Sequence, residues 1–382
     1  MYHANQASLA LLPPEAYTTR QAFESDRVRL RDDSWQLVAV RSQLSKHGDY
    51  VAIEQLGVPL LVRNDGDELV GLLNVCAHRH CQIAENGEGW TQELRCPYHG
   101  WRYGKDGRTR KLPGAKNFPN LDRDTHRLQL FPVQTLGSLV FAYLGDGQPP
   151  QLSTGPGADW WNELGDRTSQ DAWRLVLADQ LDYDCDWKIP IEGSLESYHL
   201  DEVHAETFGQ DPGEGETEHQ LEVFGTRFTT HVRGKSWVAR WEERLIRWMI
   251  GSFDPAYHHV HLYPGVMASL TETMTLVYQI FPAEWSDQRG GSTSRMRVFG
   301  FTRRDQQHGW LGKLVERGIG HAAAKLARKV LAEDCQIFPK VQAGMQAARS
   351  PRVFGRCEER LTDFHRYWQI EGQGAIAGGG EY

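Results

Sequence analysis

The stretch "NVCAHRHCQIAENGEGWTQELRCPYHGW", residues 74–101, decides how this chain is read, because it gathers three cysteines and three histidines. Cys76-x-His78 opens the pattern, 17 residues follow, and Cys96-x-x-His99 closes it. Each end offers one thiolate and one imidazole, and the two pairs converge if the residues between them fold as a hairpin. Two Cys and two His also suit a structural zinc site. Zinc hooks, however, usually pair like ligands about two to four residues apart, whereas both pairs here are mixed.

"CAHRH" and "CPYHGW" resemble the paired loops of Rieske domains. There, two cysteines hold one iron of a [2Fe–2S] cluster and two neutral histidines hold the other. The resemblance assigns Cys76, His78, Cys96 and His99 as cluster ligands, with Gly100 and Trp101 fitting the family's pattern. Respiratory-chain Rieske proteins carry one more cysteine in each loop, and these two form a disulfide over the cluster. Cys81 stands where the first would lie, but its partner position holds Tyr98. A bridge needs two sulfurs, so the clasp cannot form, and Cys81 is expected as a buried free thiol. His80 replaces an expected glycine and is assigned to the surface or to the surroundings of the ligands. The missing clasp resembles the lower-potential branch, which feeds electrons to an oxygenase.

Around these loops, residues 35–145 read as strands and turns. "WQLVAV", "YVAIEQL", "PLLVR" and "ELVGLLNV" are rich in Val, Leu and Ile, and turn formers such as "NDGD" (64–67) and "KDGR" (105–108) separate them. "RLQLFPVQTLGSLVFAYLG" adds two more expected strands. "DGQPPQLSTGPGA" (146–158) has the composition of a linker. Residues 159–370 form a larger α+β region. Strands are expected there at 170–183 and 220–242, a hairpin across "SDQRGGSTS", and helix from Asp305 to about Arg349. Residues 1–34 have helical spacing, and 371–382 read as a loose tail. The expected fold class is α+β, a small all-β domain joined to a larger mixed one.

The chain has 382 residues, enough for two domains, with 42 basic and 50 acidic side chains. This mild acidity argues against a nucleic-acid-binding surface. No apolar run approaches the roughly 18 residues of a membrane span. "SLALLPPEAY" is broken too early by Pro13 and Pro14 to be a secretory segment, so the expected location is cytoplasmic. Six cysteines in such a chain read as metal ligands or core thiols.

A Rieske domain alone needs only about the first 150 residues, and "CDWKIPIEGSLESYHLDEVH" (185–204) gives the remainder a purpose. Glu192, Glu196 and His199 fall at i, i+4 and i+7, one stripe of a helix. His204 lies five residues past His199, about 140° further round, so the helix must end or bulge for both imidazoles to meet one ion.

Together, the Rieske loops and "WK…ESYHLDEVH" resemble the catalytic α subunit of the Rieske non-haem iron oxygenases. The resemblance covers nearly the whole chain and extends to "AEDCQIFPKVQAGM". It implies a helix-grip-type catalytic domain holding Fe(II) by two histidines and one carboxylate, with positions left open for O₂ and substrate. His199 and His204 match the histidines and Asp334 the carboxylate. Glu333 is the alternative, and on the residues alone Asp254, Asp287 or Asp305 also serve. Glu196 matches the acid that links the cluster of one subunit to the iron of its neighbour, touching His99 on one side and His199 on the other. The family often has asparagine where Gly193 stands, and "NWK" where Asp186-Trp187-Lys188 stand.

The resemblance further implies a separate flavin/NAD(P)H reductase, a head-to-tail homotrimer, and oxygenation of a small molecule. Ring-dihydroxylating members mostly have aspartate at the bridging position. Glu196 resembles the branch that acts on quaternary ammonium compounds such as choline, carnitine and betaines. The 13 tryptophans are enough for an aromatic cage around a cation, with Trp237, Trp241 and Trp248 in the expected pocket region. The reading is therefore a monooxygenase or N-dealkylase of an amine. The alternatives are an aromatic-ring-hydroxylating dioxygenase and a Rieske electron carrier without oxygenase activity.

Overall fold

Apolar runs too continuous for a one-sided strand are buried on both faces, and "WQLVAV" is the first. In the computed structural model, which describes residues 2–66, 68–207, 211–231 and 237–374, every residue of this run is buried. The chain arrives there through β1 (Ser8–Leu9), α1 (Glu15–Thr18) and α2 (Arg20–Asp33). Residues Arg27–Gln151 form one compact unit.

That unit is all β beyond α2. It comprises β2 (Trp35–Val40), β3 (Asp49–Gln55), β4 (Val58–Asn64), β5 (Leu69–Leu73), β6 (Gly87–Trp90), β7 (Leu94–Arg95), β8 (Arg102–Tyr103), β9 (Thr109–Lys111), β10 (Leu130–Phe131), β11 (Val133–Leu136) and β12 (Leu139–Tyr143). An antiparallel sheet of order β10-β5-β4-β3-β6 and a second of order β11-β12-β2 enclose Val38, Leu44, Val51, Leu60, Val62 and Val140. A third, small sheet, β7-β8-β9, carries "CPYHGW" between its first two strands. Pro132 splits the expected penultimate strand into β10 and β11, since proline has no N–H for the ladder. Residues 146–158 are less loose than their composition suggests: the Trp35 indole donates to the Pro150 carbonyl at 2.6 Å.

The second unit joins the residues up to Asp26 with those from Leu152 onward. It runs through α3 (Ala158–Asp166), β13 (Trp173–Tyr183), α4 (Lys188–Ser194), α5 (Leu200–Val203), β14 (Thr217–Glu222), β15 (Gly225–His231), α6 (Trp237–Ile250), β16 (Ala256–Leu262), β17 (Val266–Leu270), β18 (Met274–Ser286), β19 (Gly291–Arg303), α7 (Gly309–Asp334), α8 (Phe338–Ala347), β20 (Val353–Phe354) and α9 (Glu359–Gly374). Seven antiparallel strands, β13-β19-β18-β17-β16-β15-β14, form its sheet, and β18–β19 is the expected hairpin. The fold class is α+β. Among the described residues, the strand expected at 220–242 is β14 and β15, with 232–236 outside them; residues 237–242 open α6, whose helical period buries Ile246 and Met249. The tail beyond Gly374 lies outside the described residues.

Helix α7 lies close against the sheet because its contact face is small. A Cβ at Gly320 would stand 2.7 Å from Val176 Cγ1 and 3.2 Å from Thr302 Oγ1, and Ala324 and Ala327 continue the buried face. Polar groups pin α4 from the other side. Lys188, fully buried, donates to Asp26 and, at 2.9 Å, to Asp186. The indoles of Trp187 and Trp368 also donate to Asp26, at 2.9 and 3.2 Å. One turn on, Glu192 meets Arg352 at 2.5 Å, His365 at 2.8 Å and the Tyr17 hydroxyl. Burial opposes the Glu192 charge, but the His365 hydrogen bond and the Arg352 guanidinium outweigh it and bring its pKa down to about 2. The N-terminal segment thereby packs on this unit, with β1 paired to β20. Among the described residues no helix is long and apolar enough to cross a membrane.

Candidate functional site

The two Cys-His loops of the β unit share one backbone design. Cys76 N–H donates to the carbonyl five residues on (Cys81, 2.9 Å), and the amide four residues on (His80, 3.0 Å) returns a bond to the Cys76 carbonyl. Cys96 repeats both bonds with Trp101 (2.8 Å) and Gly100 (3.0 Å). Each loop closes through a left-handed residue, Gly100 at φ +73° and His80 at φ +57°. The resemblance implied a glycine at position 80, and the left-handed backbone gives the reason, since a side chain there costs about 1–2 kcal/mol. His80 bears that strain and is exposed.

These loops bring the four expected residues together. Cys76 and Cys96 are each 1 % exposed inside an apolar cluster with Leu61, Leu72, Leu94 and Trp101. The His78 and His99 rings lie 4.6 Å apart, and His78 stacks on Trp101 at 4.8 Å. His78 Nδ1 is buried without a hydrogen-bond partner among the described residues. A buried imidazole nitrogen with no protein partner beside two buried sulfurs fits a two-sulfur, two-nitrogen cluster ligand set. Tyr103, which the sequence reading passed over, accepts from Ala77 N–H at 3.1 Å and donates to Cys76 Sγ at 3.0 Å. Burial and the neighbouring Cys76 push its pKa well up, so it stays a donor. Cys81 is free, as expected, but only half buried: Tyr98 in the facing loop is 56 % exposed and bonds Arg79 rather than covering it.

In the larger unit the histidine pair depends on a broken helix. The expected stripe through Glu192, Glu196 and His199 does not exist, because α4 stops at Ser194 and α5 begins only at Leu200. In the turn between them Glu196 Oε2 accepts the His199 N–H at 3.1 Å, and its Oε1 accepts from the His199 ring at Nδ1. Glu192 consequently points into the buried Arg352–His365 network, away from the pair.

His199, His204 and Asp334 each offer one ligand atom, and these atoms lie within 4.8 Å of one another. Asp334 is the last residue of α7 and sits 3.0 Å from His204 Nε2. Its neighbour Glu333 meets the opposite nitrogen, His204 Nδ1, at 2.8 Å. A carboxylate accepts only, so Nδ1 carries a proton in both histidines, and a metal held between His204 Nε2 and Asp334 would take the place of the proton those two atoms otherwise share. Glu333 is held in turn by the Thr207 hydroxyl at 2.8 Å and Lys329 at 3.7 Å. The set of two Nε2 lone pairs and one carboxylate, each imidazole backed by an outer acid, fits a mononuclear iron. Burial opposes charge on His204, but hydrogen bonds to Asp334 and Glu333 prevail and raise its pKa.

The other weighed acids lie elsewhere: Asp254 caps Ala256 N–H, Asp287 pairs with Arg20, and Asp305 holds His308. Gly193 lacks the family's amide because Phe338 fills its space, 2.7 Å from where a Cβ would stand. Trp241 and Trp248 are 63 % and 42 % exposed on α6, Trp248 against His308, so they do not wall a closed cage; the Trp237 side chain lies outside the described residues. Residues 211–219 are tied down, Asp211 accepting from Ser197 at 2.7 Å before β14 begins.

Residues 34–132 match the family described as Rieske [2Fe-2S] domain, and residues 170–370 match the ring hydroxylating alpha subunit (catalytic domain). The carnitine monooxygenase oxygenase subunit of Escherichia coli (strain K12) is 27 % identical over 296 residues, covering 74 % of this chain and 73 % of that protein. The chlorobenzene dioxygenase subunit alpha of Cupriavidus sp. (strain PS12) is 29 % identical over 198 residues, 51 % of this chain and 43 % of that protein. A quaternary ammonium Rieske monooxygenase, whose structure is described as giving insight into carnitine oxidation and inter-subunit electron transfer, shares the fold. Its TM-score is 0.73 at 18 % identity, over 96 % of this chain and 95 % of that one.

Proposed function

The chain belongs to the ring-hydroxylating alpha-subunit family, as a Rieske [2Fe–2S] and mononuclear-iron oxidoreductase that uses O₂, and on that premise we propose that it is a monooxygenase or N-dealkylase of a quaternary ammonium compound. Cys76, His78, Cys96 and His99 hold the cluster, and His199, His204 and Asp334 hold the iron. The observation that carries the oxygenase reading is the convergence of those last three side chains from α5 and α7, for which a pure electron carrier has no use. The substrate class rests on Glu196 and on the similarity to a carnitine monooxygenase subunit across about three quarters of both chains.

Bound in these sites, the cluster supplies electrons singly and the iron supplies activation of O₂. The protein's own part is orientation and dryness. Glu196 and Glu333 each fix a tautomer and make the imidazole a stronger donor. His204, with its side chain 2 % exposed, is sealed from water, while His199 and Asp334 keep 24 % and 19 % exposure. The electrons come from a separate flavin reductase. Copies assemble head to tail, usually as trimers in the family, so that Glu196 of one reaches His99 of the next; the inter-subunit transfer described for the structural relative supports this. Besides the two cluster cysteines, the other four stand unbridged, which supports a reducing, cytoplasmic setting.

The test supplies the enzyme with a flavin reductase, NADH and O₂, and offers L-carnitine, glycine betaine, choline and benzene in turn. Oxygen uptake matched to a C–N cleavage or N-demethylation product is expected. A cis-diol from benzene, with no reaction on the amines, defeats the monooxygenase reading in favour of the dioxygenase one. A related expectation concerns Tyr103→Phe. Removing a donor to a cluster sulfur destabilises the reduced form, so the cluster potential should fall. A net hydrogen bond of about 0.5–1.5 kcal/mol corresponds to about 20–65 mV for one electron. Redox titration of the visible spectrum reads it.

A further inference from the structure

The chain carries a formal net charge of -8, yet between residues 94 and 127 nine arginines and lysines face three aspartates. The three-stranded sheet concentrates part of this excess. Arg95 on β7 lies opposite Arg102 on β8, and Arg102 lies opposite Lys111 on β9. Like charges directly opposed across an antiparallel ladder disfavour the pairing, so a row of three calls for a compensating use. Glu93 answers only Arg102. Arg95 and Lys111 are exposed and form no ion pair among the described residues.

The row is joined to the cluster loop. The Arg95 guanidinium lies over Gly100, its Nε and Nη2 3.4 Å from where a Cβ would stand, and Gly100 follows His99. His99 itself is exposed, and Arg79 of the facing loop reaches over Tyr98 with its guanidinium carbon 5.4 Å from the ring centroid. A partner seated on the row therefore rests beside the loop that carries a cluster ligand. A long polyanion would also meet the chain's acidic remainder, whereas a compact acidic patch on a protein meets the row alone.

We propose that Arg95, Arg102 and Lys111 form the docking face for the electron-donor protein, and that this donor presents carboxylates around its own redox centre. The proposal rests on the reading above that a separate protein reduces the cluster. In each encounter one electron leaves the donor's reduced centre and enters the oxidised cluster, and no bond is made or broken. The row acts by steering and orienting, so its loss should appear in association and not in the cluster.

The experiment uses the cluster-loaded, full-length protein and a chemically reduced plant-type [2Fe–2S] ferredoxin, an acidic donor, mixed in a stopped-flow instrument. Lys111→Glu, which lies away from the ligand loop, is compared with the double variant Arg95→Glu/Lys111→Glu; complex affinity is measured alongside by interferometry. The wild-type second-order rate should fall steeply from about 50 to about 500 mM salt. At low salt Lys111→Glu should be slower by about tenfold, with a flatter salt dependence and weaker affinity. Reduction by dithionite and the visible spectrum should be unchanged. Equal rates and salt slopes in wild type and variants overturn the proposal, and so does a wild type that dithionite reduces but the ferredoxin does not. A variant that loses the native oligomeric state assigns the row to a subunit contact instead, and also overturns it. A wild type with no Rieske spectrum would defeat the proposed function itself, which is a distinguishable failure.

Discussion

His199→Ala should abolish turnover, by on the order of a thousandfold or more, while leaving the Rieske visible spectrum intact. His199 belongs to the larger unit, and the four cluster residues belong to the smaller one, with their own core around Cys76 and Cys96. Loss of one imidazole leaves His204 and Asp334, too few ligands to keep the metal, so iron should drop from about three to about two per chain. Glu333→Gln provides the contrast. It removes only the carboxylate behind His204 Nδ1, and an outer partner of this kind is worth about 10–100-fold in metal affinity or activity. Metal analysis, absorption spectra and oxygen uptake on the same preparations decide the matter. If His199→Ala erased the cluster spectrum, the assignment of the two metal sites would be wrong. If Glu333→Gln were as damaging as Asp334→Ala, Glu333 would be the ligand.

Lys188→Met should cost about 3–5 kcal/mol of stability, because it leaves Asp26 and Asp186 buried without their cation. Urea denaturation with a calorimetric check reads it. The loss has a definite pH sign. Burial raises the Asp186 pKa, Lys188 opposes this, and the balance stands at about 6. A carboxyl whose folded pKa is raised favours the folded state while it is protonated and loses that contribution as pH rises through the folded value. Removing Lys188 raises that pKa further. The deficit should therefore be largest above about pH 7 and shrink toward pH 5. A deficit that instead grew in acid would show that the buried carboxyl is not what the lysine stabilises.

The parts of this molecule that were legible in its residues are those whose chemistry is local. Cys-x-His and Cys-x-x-His name their ligands because each pair lies within one loop, and the paired loops share a backbone pattern set by positions four and five residues on. The strands around them were legible because a continuous apolar run has few other fates. The stripe from Glu192 to His199 misled because helical spacing says nothing about where a helix stops: α4 ends at Ser194, and Glu196 in the following turn accepts the His199 amide. The half-exposed Cys81 was missed for a similar reason, since its cover would have come from a loop about twenty residues away.

By itself the sequence pointed to the metal chemistry, to two units and to the candidates for four cluster ligands and two iron histidines, because the motifs that carry the family resemblance lie within short segments. The tertiary structure added the geometric reason to prefer Asp334 over Glu333. They are neighbours on one helix end, and what distinguishes them is which nitrogen of His204, some 130 residues earlier, each one faces. It likewise sent Glu192 into a buried ion network, filled the space beside Gly193 with Phe338, and aligned Arg95, Arg102 and Lys111 into one row. Those relations arise from packing and strand register, which bring together residues that no local spacing connects.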